Sequence, residues 1–343
     1  MKISTFCRYI DQPVILNKLD KHMPKLLIGA GTGYALYDFS KNKRRNENKR
    51  FLKNSIVIAS TIGASLLGTR GLKIGNKKIF KGLMERVPLK KIQNEQIRAV
   101  EKFLSKTDIK DEKILTALND AKTKALTLKQ TDLILNRLPN SPAKKDLLNV
   151  ILPKKKNLNS KEIFSEIKRL SLLGLIPVAG GVLGGITAER LTHTNTEKST
   201  ANKVKEGIYQ YLANIFLCNV GAGSALFLYE QLEKAKKIKP LTPAKKLGVI
   251  LAGITATGII GGSYIANYLS KKFINPLFGE KRQNGIYSER KPEMTDIMLH
   301  ADDIATAGIL SGFKWIEPAL PFMYFISGYR AGIGYRNGHK HSI

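Results

Sequence analysis

The sequence predicts an all-α fold, a polytopic integral membrane helical bundle of about six Gly/Ala-rich apolar segments with a basic helical insert outside the membrane. Three observations carry this expectation. Residues 247–270 run for 24 positions without a charged side chain, and residues 207–229 for 23, in a chain of 343 residues whose formal net charge is +30. A helix of 24 residues rises about 36 Å, enough to cross a hydrocarbon core of about 30 Å. Small residues also recur every fourth position in each apolar segment.

The segments follow in order. The first covers 24–39, opened by Pro24 and closed by Asp38. The second, 55–69, is short for a span and reads as tilted, re-entrant or half of a hairpin with the first. The third covers 170–188, and the fourth and fifth are the two long charge-free runs. The sixth, 304–329, is irregular, because Lys314 and Glu317 interrupt it and Pro318 and Pro321 follow. Interfacial tyrosines with lysines just beyond close the first, fourth and fifth segments, as in an aromatic belt.

Between the second and third segments, residues 71–169 read differently. Ile92, Ile97, Val100, Phe103 and Leu104 fall on one helical face, as do Ile114, Leu118, Ala121 and Ala125. Ser141-Pro142 is an N-cap followed by proline at the first helical position. The chain therefore divides into 1–70, an N-terminal apolar hairpin; 71–169, a basic amphipathic insert; and 170–343, a C-terminal membrane region with four apolar segments.

The small-residue spacing has a physical cause. Lipid tails are as apolar as leucine, so helices associate in a bilayer by close backbone approach, which needs small residues on one face. Gly29 with Gly33, Gly180 with Gly184, and Gly258 with Gly262 are the ridges expected to pack helices, in a glycine-zipper pattern that also permits self-association.

The positive charge points to anionic lipid headgroups as partner, at about 1 kcal/mol per juxtamembrane Lys or Arg. A bias towards Lys, Ile and Asn along the whole chain accounts for part of it. Nucleic acid is the lesser reading, since no recognition motif or interleaved aromatic pattern accompanies the charge. Lys and Arg counts in the short loops nearly balance across six spans, so they fix no orientation. Cys7 and Cys218 are the only cysteines and make neither a disulfide framework nor a metal motif.

Candidate chemistry is sparse. Lys314 and Glu317 stand three apart beside two prolines, where a broken helix can line a solute path or form a water-exposed elbow. Asn214 and Asn219 lie inside the fourth run, where amides bond between helices or line a pore. Asp296, His300 and Asp303 share a helical face and form a weak candidate for a divalent metal. Asp38, Glu189 and Glu230 end their segments within reach of water. Gly29 to Gly33 lacks the preceding strand and the Gly-Lys-Ser/Thr ending of a phosphate loop, so no cofactor is expected. The leading expectation is a non-enzymatic structural or interaction protein of the membrane. The alternative is a transporter or channel for ions or small solutes that uses the broken segment 304–329.

Overall fold

A computed structural model of the chain describes residues 3–41, 47–74, 77–84, 87–153, 160–194, 196–239, 243–277, 301–310 and 314–334. These residues are almost entirely helical, with a single two-stranded hairpin among them. Four helical stretches are long and apolar enough to cross a membrane: Asn48–Arg70, Lys161–Leu191, Ser199–Lys234 and Gly248–Leu277. That is fewer than the six expected. The first apolar segment falls inside a helix too polar overall to qualify. The sixth is cut into two short helices by a 3-10 turn, because Pro318 and Pro321 cannot continue a hydrogen-bonded ladder. The second segment proves longer than its uncharged core, since its helix begins eight residues earlier, at Glu47.

The chain forms two compact units. One joins Met1–Met23, Glu85–Asn157 and Gly312–Pro318. Its helices are α1 (Ile3–Ile10), the start of α2 (Pro13–Lys41), α4 (Leu89–Leu104), α5 (Glu112–Thr123), α6 (Leu128–Arg137) and α7 (Pro142–Ile151). Local sequence sets each boundary. The Asp111 carboxylate accepts from the first-turn N–H groups of Lys113 and Ile114, Thr127 and Gln130 make a capping box, and Ser141 caps α7 ahead of Pro142. Val100, Phe103, Leu118, Leu126, Ile134, Leu147 and Ile151 fill one core.

Distant segments are tied into this unit by specific bonds. The Gln12 side chain donates to the Leu126 carbonyl at 3.0 Å and accepts from the Leu126 N–H at 2.7 Å. The Trp315 N–H donates to the Asp11 carboxylate at 3.0 Å, across 304 positions of sequence. Lys144 is buried, and its ammonium donates to the carbonyls of Leu135 and Leu138 at 2.9 and 2.7 Å, closing the C-terminal end of α6. Burial lowers the Lys144 pKa, and the Arg8 guanidinium pushes the same way; burial alone lowers that of Arg8. The ammonium satisfies orphan helix carbonyls. Lys144→Met should therefore cost the unit about 1–3 kcal/mol, read as a lower denaturant midpoint.

The other unit covers Pro24–Met84, Leu158–Ser311 and Ala319–Ile343. It contains most of α2, α3 (Glu47–Arg70), the strands β1 (Gly71–Ile74) and β2 (Lys77–Lys81), and α8 (Ser160–Leu191). Next come α9 (Glu197–Tyr211), α10 (Leu217–Lys234), α11 (Pro243–Ile254), α12 (Ser263–Leu269) and α13 (Asn275–Leu277). It ends with α14 (Ala301–Leu310) and α15 (Leu320–Ile333). Segments with the wider π spacing join α9 to α10 at Leu212–Phe216 and α11 to α12 at Thr255–Gly262.

Glycine sets how closely these helices approach. A Cβ on Gly181 would overlap the Gly328 carbonyl oxygen, and one on Gly185 the Gly332 carbonyl oxygen, so α8 and α15 meet backbone to backbone. Gly180 and Gly184 meet Ala64 and Ser60 of α3, Gly258 meets Cys218, and a Cβ on Gly262 would come within 2.6 Å of the Ala213 Cα. The Gly29 and Gly33 ridge differs. An added Cβ there meets nothing within 4 Å among the described residues, and Gly31 instead faces Ile58 and Ile62. Helix α2 therefore meets α3 through Gly31, on the face opposite the Gly29 and Gly33 pair.

Candidate functional site

The most unusual chemistry in the second unit, which holds the four long apolar stretches, is a row of buried polar side chains on α9 and the π segment after it. Thr196 caps α9, its hydroxyl accepting from the Ser199 N–H at 3.1 Å. The turn between α8 and α9 is short, with His193 at φ 51°. It brings the last turn of α8 against the second turn of α9, so Lys203 meets Glu189 at 2.6 Å. The Lys203 side chain is 4% exposed and that of Glu189 13%. The Ser199 hydroxyl bonds the same carboxylate at 2.7 Å and accepts from the Lys203 ammonium at 2.9 Å.

One turn further, Glu206 begins a ladder at intervals of four residues. The Gln210 amide donates to the Glu206 carboxylate at 2.7 Å, and the Asn214 amide donates to Gln210 at 2.9 Å. All three are buried. Arg330 on α15 places its Nε 3.8 Å from the Glu206 carboxylate. Beyond the π segment, the Asn219 amide donates to the Ser171 hydroxyl on α8 at 3.2 Å. The π segment fits closely at this depth: the Cys218 thiol donates to the Ala213 carbonyl at 3.1 Å, and Tyr209 and Ser263 hydroxyls meet at 2.9 Å.

Two carboxylates thus each face a cation, and amides extend the row inward. Such a row can hold charge in a low-dielectric setting because every charge meets an opposite one. It can also fix helix register, since a slip by one residue would strand the buried carboxylates.

The residues singled out from sequence distribute unevenly around this row. Asn214 and Asn219 lie on it, although no bond between them is seen. Glu189 does not simply end its segment in water but pairs with Lys203, whereas Glu230 pairs with exposed Lys234. Glu317 lies on the 3-10 turn Lys314–Ala319. Residues 314–318 group with the N-terminal segment, to which the Trp315–Asp11 bond ties them, and Asn214 and Asn219 belong to the other unit. The Lys314 and Asp303 side chains and the whole of Asp296 and His300 lie outside the described residues, as does the side chain of Asp38. Among the described residues no three His, Cys, Asp or Glu side chains group as metal ligands. The residues missed are Lys203, Glu206, Gln210 and Arg330. Their signal was the four-residue spacing of 206, 210 and 214 on a helix entering a charge-free run.

The first unit, which holds α4 to α7, carries a second feature. An open groove of about 640 Å³ lies between α4 and α7, with Phe103 and Leu147 in its lining and Arg98, Lys102 and Lys106 along it. Asp146 is its one lining carboxylate and stands 3.7 Å from Lys102. Comparison with protein-family models, with curated proteins and with solved structures finds no match to this chain.

Proposed function

We propose that this is a non-enzymatic structural or interaction protein of the membrane, which holds a basic helical unit against an anionic lipid surface. The observation that carries this is the first unit itself. Three segments separated in sequence by long apolar helices meet in one unit, whose helices from Leu89 to Ile151 enclose the core and leave Arg98, Lys102, Lys106, Lys113, Lys124 and Lys129 exposed. At about 1 kcal/mol per basic residue near an anionic surface, two or three such contacts slow access to these side chains about tenfold or more. The test uses the full-length protein in nanodiscs. Trypsin should cleave at these residues about tenfold more slowly in phosphatidylglycerol discs than in phosphatidylcholine discs at low salt, and the difference should vanish at high salt. Equal rates in all discs would remove the reading.

The same unit supports a count of crossings beyond the four long helices. Gln12 and Leu126 are bonded, so they share one side of the membrane. Between them Asn48–Arg70 crosses once, so a second crossing is required. Residues 24–41 of α2 supply it, with Leu26, Ile28, Leu36 and Tyr37 exposed for lipid contact. The Trp315–Asp11 bond likewise asks for a further crossing between Leu277 and Trp315, in the stretch that contains α14. With Cys7 and Cys218 replaced, cysteines at exposed positions 18 and 48 should label from opposite sides of sealed vesicles. Labelling from the same side would return α2 to the surface.

A second reading, ion or solute transport, draws on the buried row rather than on the break at 314–318. Under it Glu206→Gln abolishes flux in proteoliposomes while Glu317→Gln leaves it intact. Flux unchanged by Glu206→Gln, or none from the wild type, ends that reading.

A further inference from the structure

The hairpin of β1 and β2 stands where the sequence reading expected only helices. It starts at Gly71, one residue beyond the last residue of the Asn48–Arg70 helix. Leu72 pairs with Phe80 and Lys73 with Lys78, and Ile79 sits at the bulge between those pairs.

Several contacts pin it to the helix end. Gly71 adopts φ +74°, and a Cβ there would overlap the Phe80 carbonyl; one on Gly82 would overlap the Thr69 carbonyl. The chain returning from β2 then caps α3, the Leu83 N–H donating to the Gly68 carbonyl at 2.8 Å and the Met84 N–H to the Thr69 carbonyl at 3.3 Å. Arg169 on α8 holds this return, its Nη1 donating to the Leu83 carbonyl at 3.4 Å.

An isolated two-stranded hairpin is marginal in water and needs a covering layer. This one leaves Leu72, Phe80 and Ile79 exposed, with Ile79 at 60%. Lys77 and Lys81 are exposed beside them. No carboxylate side chain occurs between Glu47 and Glu85, while 71–81 carries four lysines.

We infer that this hairpin is an interfacial anchor. Leu72, Ile79 and Phe80 dip into the headgroup–acyl boundary of the bilayer that α3 crosses, and its lysines bind the anionic headgroups around them. Continuity with the end of a span puts the strands at the hydrocarbon edge, where apolar side chains enter lipid and lysine stems reach back to the headgroups. This rests on the reading of the chain as a membrane protein at an anionic surface, and it names the element that touches the lipid.

The chain has one tryptophan, Trp315, so Trp315→Phe gives a silent background. Phe80→Trp in that background, as the full-length protein in phosphatidylglycerol-containing vesicles, should emit at shorter wavelength than free indole. Lipids brominated near the headgroup end of the acyl chain should quench it severalfold more than lipids brominated near the chain terminus or an aqueous quencher. Ile79→Trp, at the most exposed position, should behave alike and covers the case in which Phe80→Trp does not fold. Adding Lys77→Glu and Lys81→Glu should weaken the shallow quenching severalfold in anionic but not in neutral vesicles. Emission like free indole, quenched from water by either tryptophan, overturns the anchor while leaving the broader reading in place if the protein still floats with the vesicles. Protein that does not float overturns both.

Discussion

Gly181→Val should be among the most damaging single substitutions in the second unit. Any Cβ at this position overlaps the Gly328 carbonyl oxygen, and a backbone atom cannot swing aside as a side-chain tip can. The α8 and α15 helices must then separate along their whole seam, including the neighbouring contact of Gly185 with Gly332. Overpacking of this kind costs about 3 kcal/mol or more. The measurement is the unfolding midpoint of the purified protein in mixed detergent micelles. Gly29→Ala is the matched contrast. It meets open space, so removing a helix-interior glycine there should gain up to about 1 kcal/mol. If both substitutions destabilise alike, the α8–α15 seam is not the closest approach in the bundle.

Lys203→Met should come next. It leaves the Glu189 carboxylate, itself mostly buried, facing the Ser199 hydroxyl without its cation. Breaking one side of a buried ion pair costs about 3–5 kcal/mol, because the remaining charge has lost both water and partner. Removing both charges, as Glu189→Leu with Lys203→Met, should recover most of that loss. A double-mutant cycle in the same micelles reads the coupling directly. Additive effects would mean that the 2.6 Å pair is not an energetic unit.

The apolar helices were legible because hydrocarbon imposes a simple rule of length and charge exclusion, which 207–229 and 247–270 obey openly. Helix ends in the first unit were legible too, as Ser141-Pro142 illustrates, since capping depends on adjacent residues. The hairpin carries a local signal in the sequence, since Gly75-Asn76 lies between two short runs containing Leu72, Ile74, Ile79 and Phe80. Glycine ridges were legible as a type but not by face. Gly29 and Gly33 have the same spacing as Gly180 and Gly184, and only the three-dimensional neighbours separate a pair facing open space from a seam. The Glu206 row escaped for another reason. A charge one residue outside an apolar run reads as a boundary marker until α15 brings Arg330 against it. Pairings of that range, and that of Trp315 with Asp11, leave no periodic trace.

The bond between Trp315 and Asp11 also bears on how the protein is made. At the ribosome, Asp11 emerges about 300 residues before the group it will bind. Its own unit cannot be completed until nearly the whole chain has been translated. The helices from Leu89 to Ile151 enclose a core of their own and can mature early. The N-terminal arm must find that surface first through Gln12, and the turn at residues 314–318 locks it last. A nascent chain halted before residue 315 should therefore carry an arm that is docked but not latched, a state open to proteases and chaperones until the remaining residues are made.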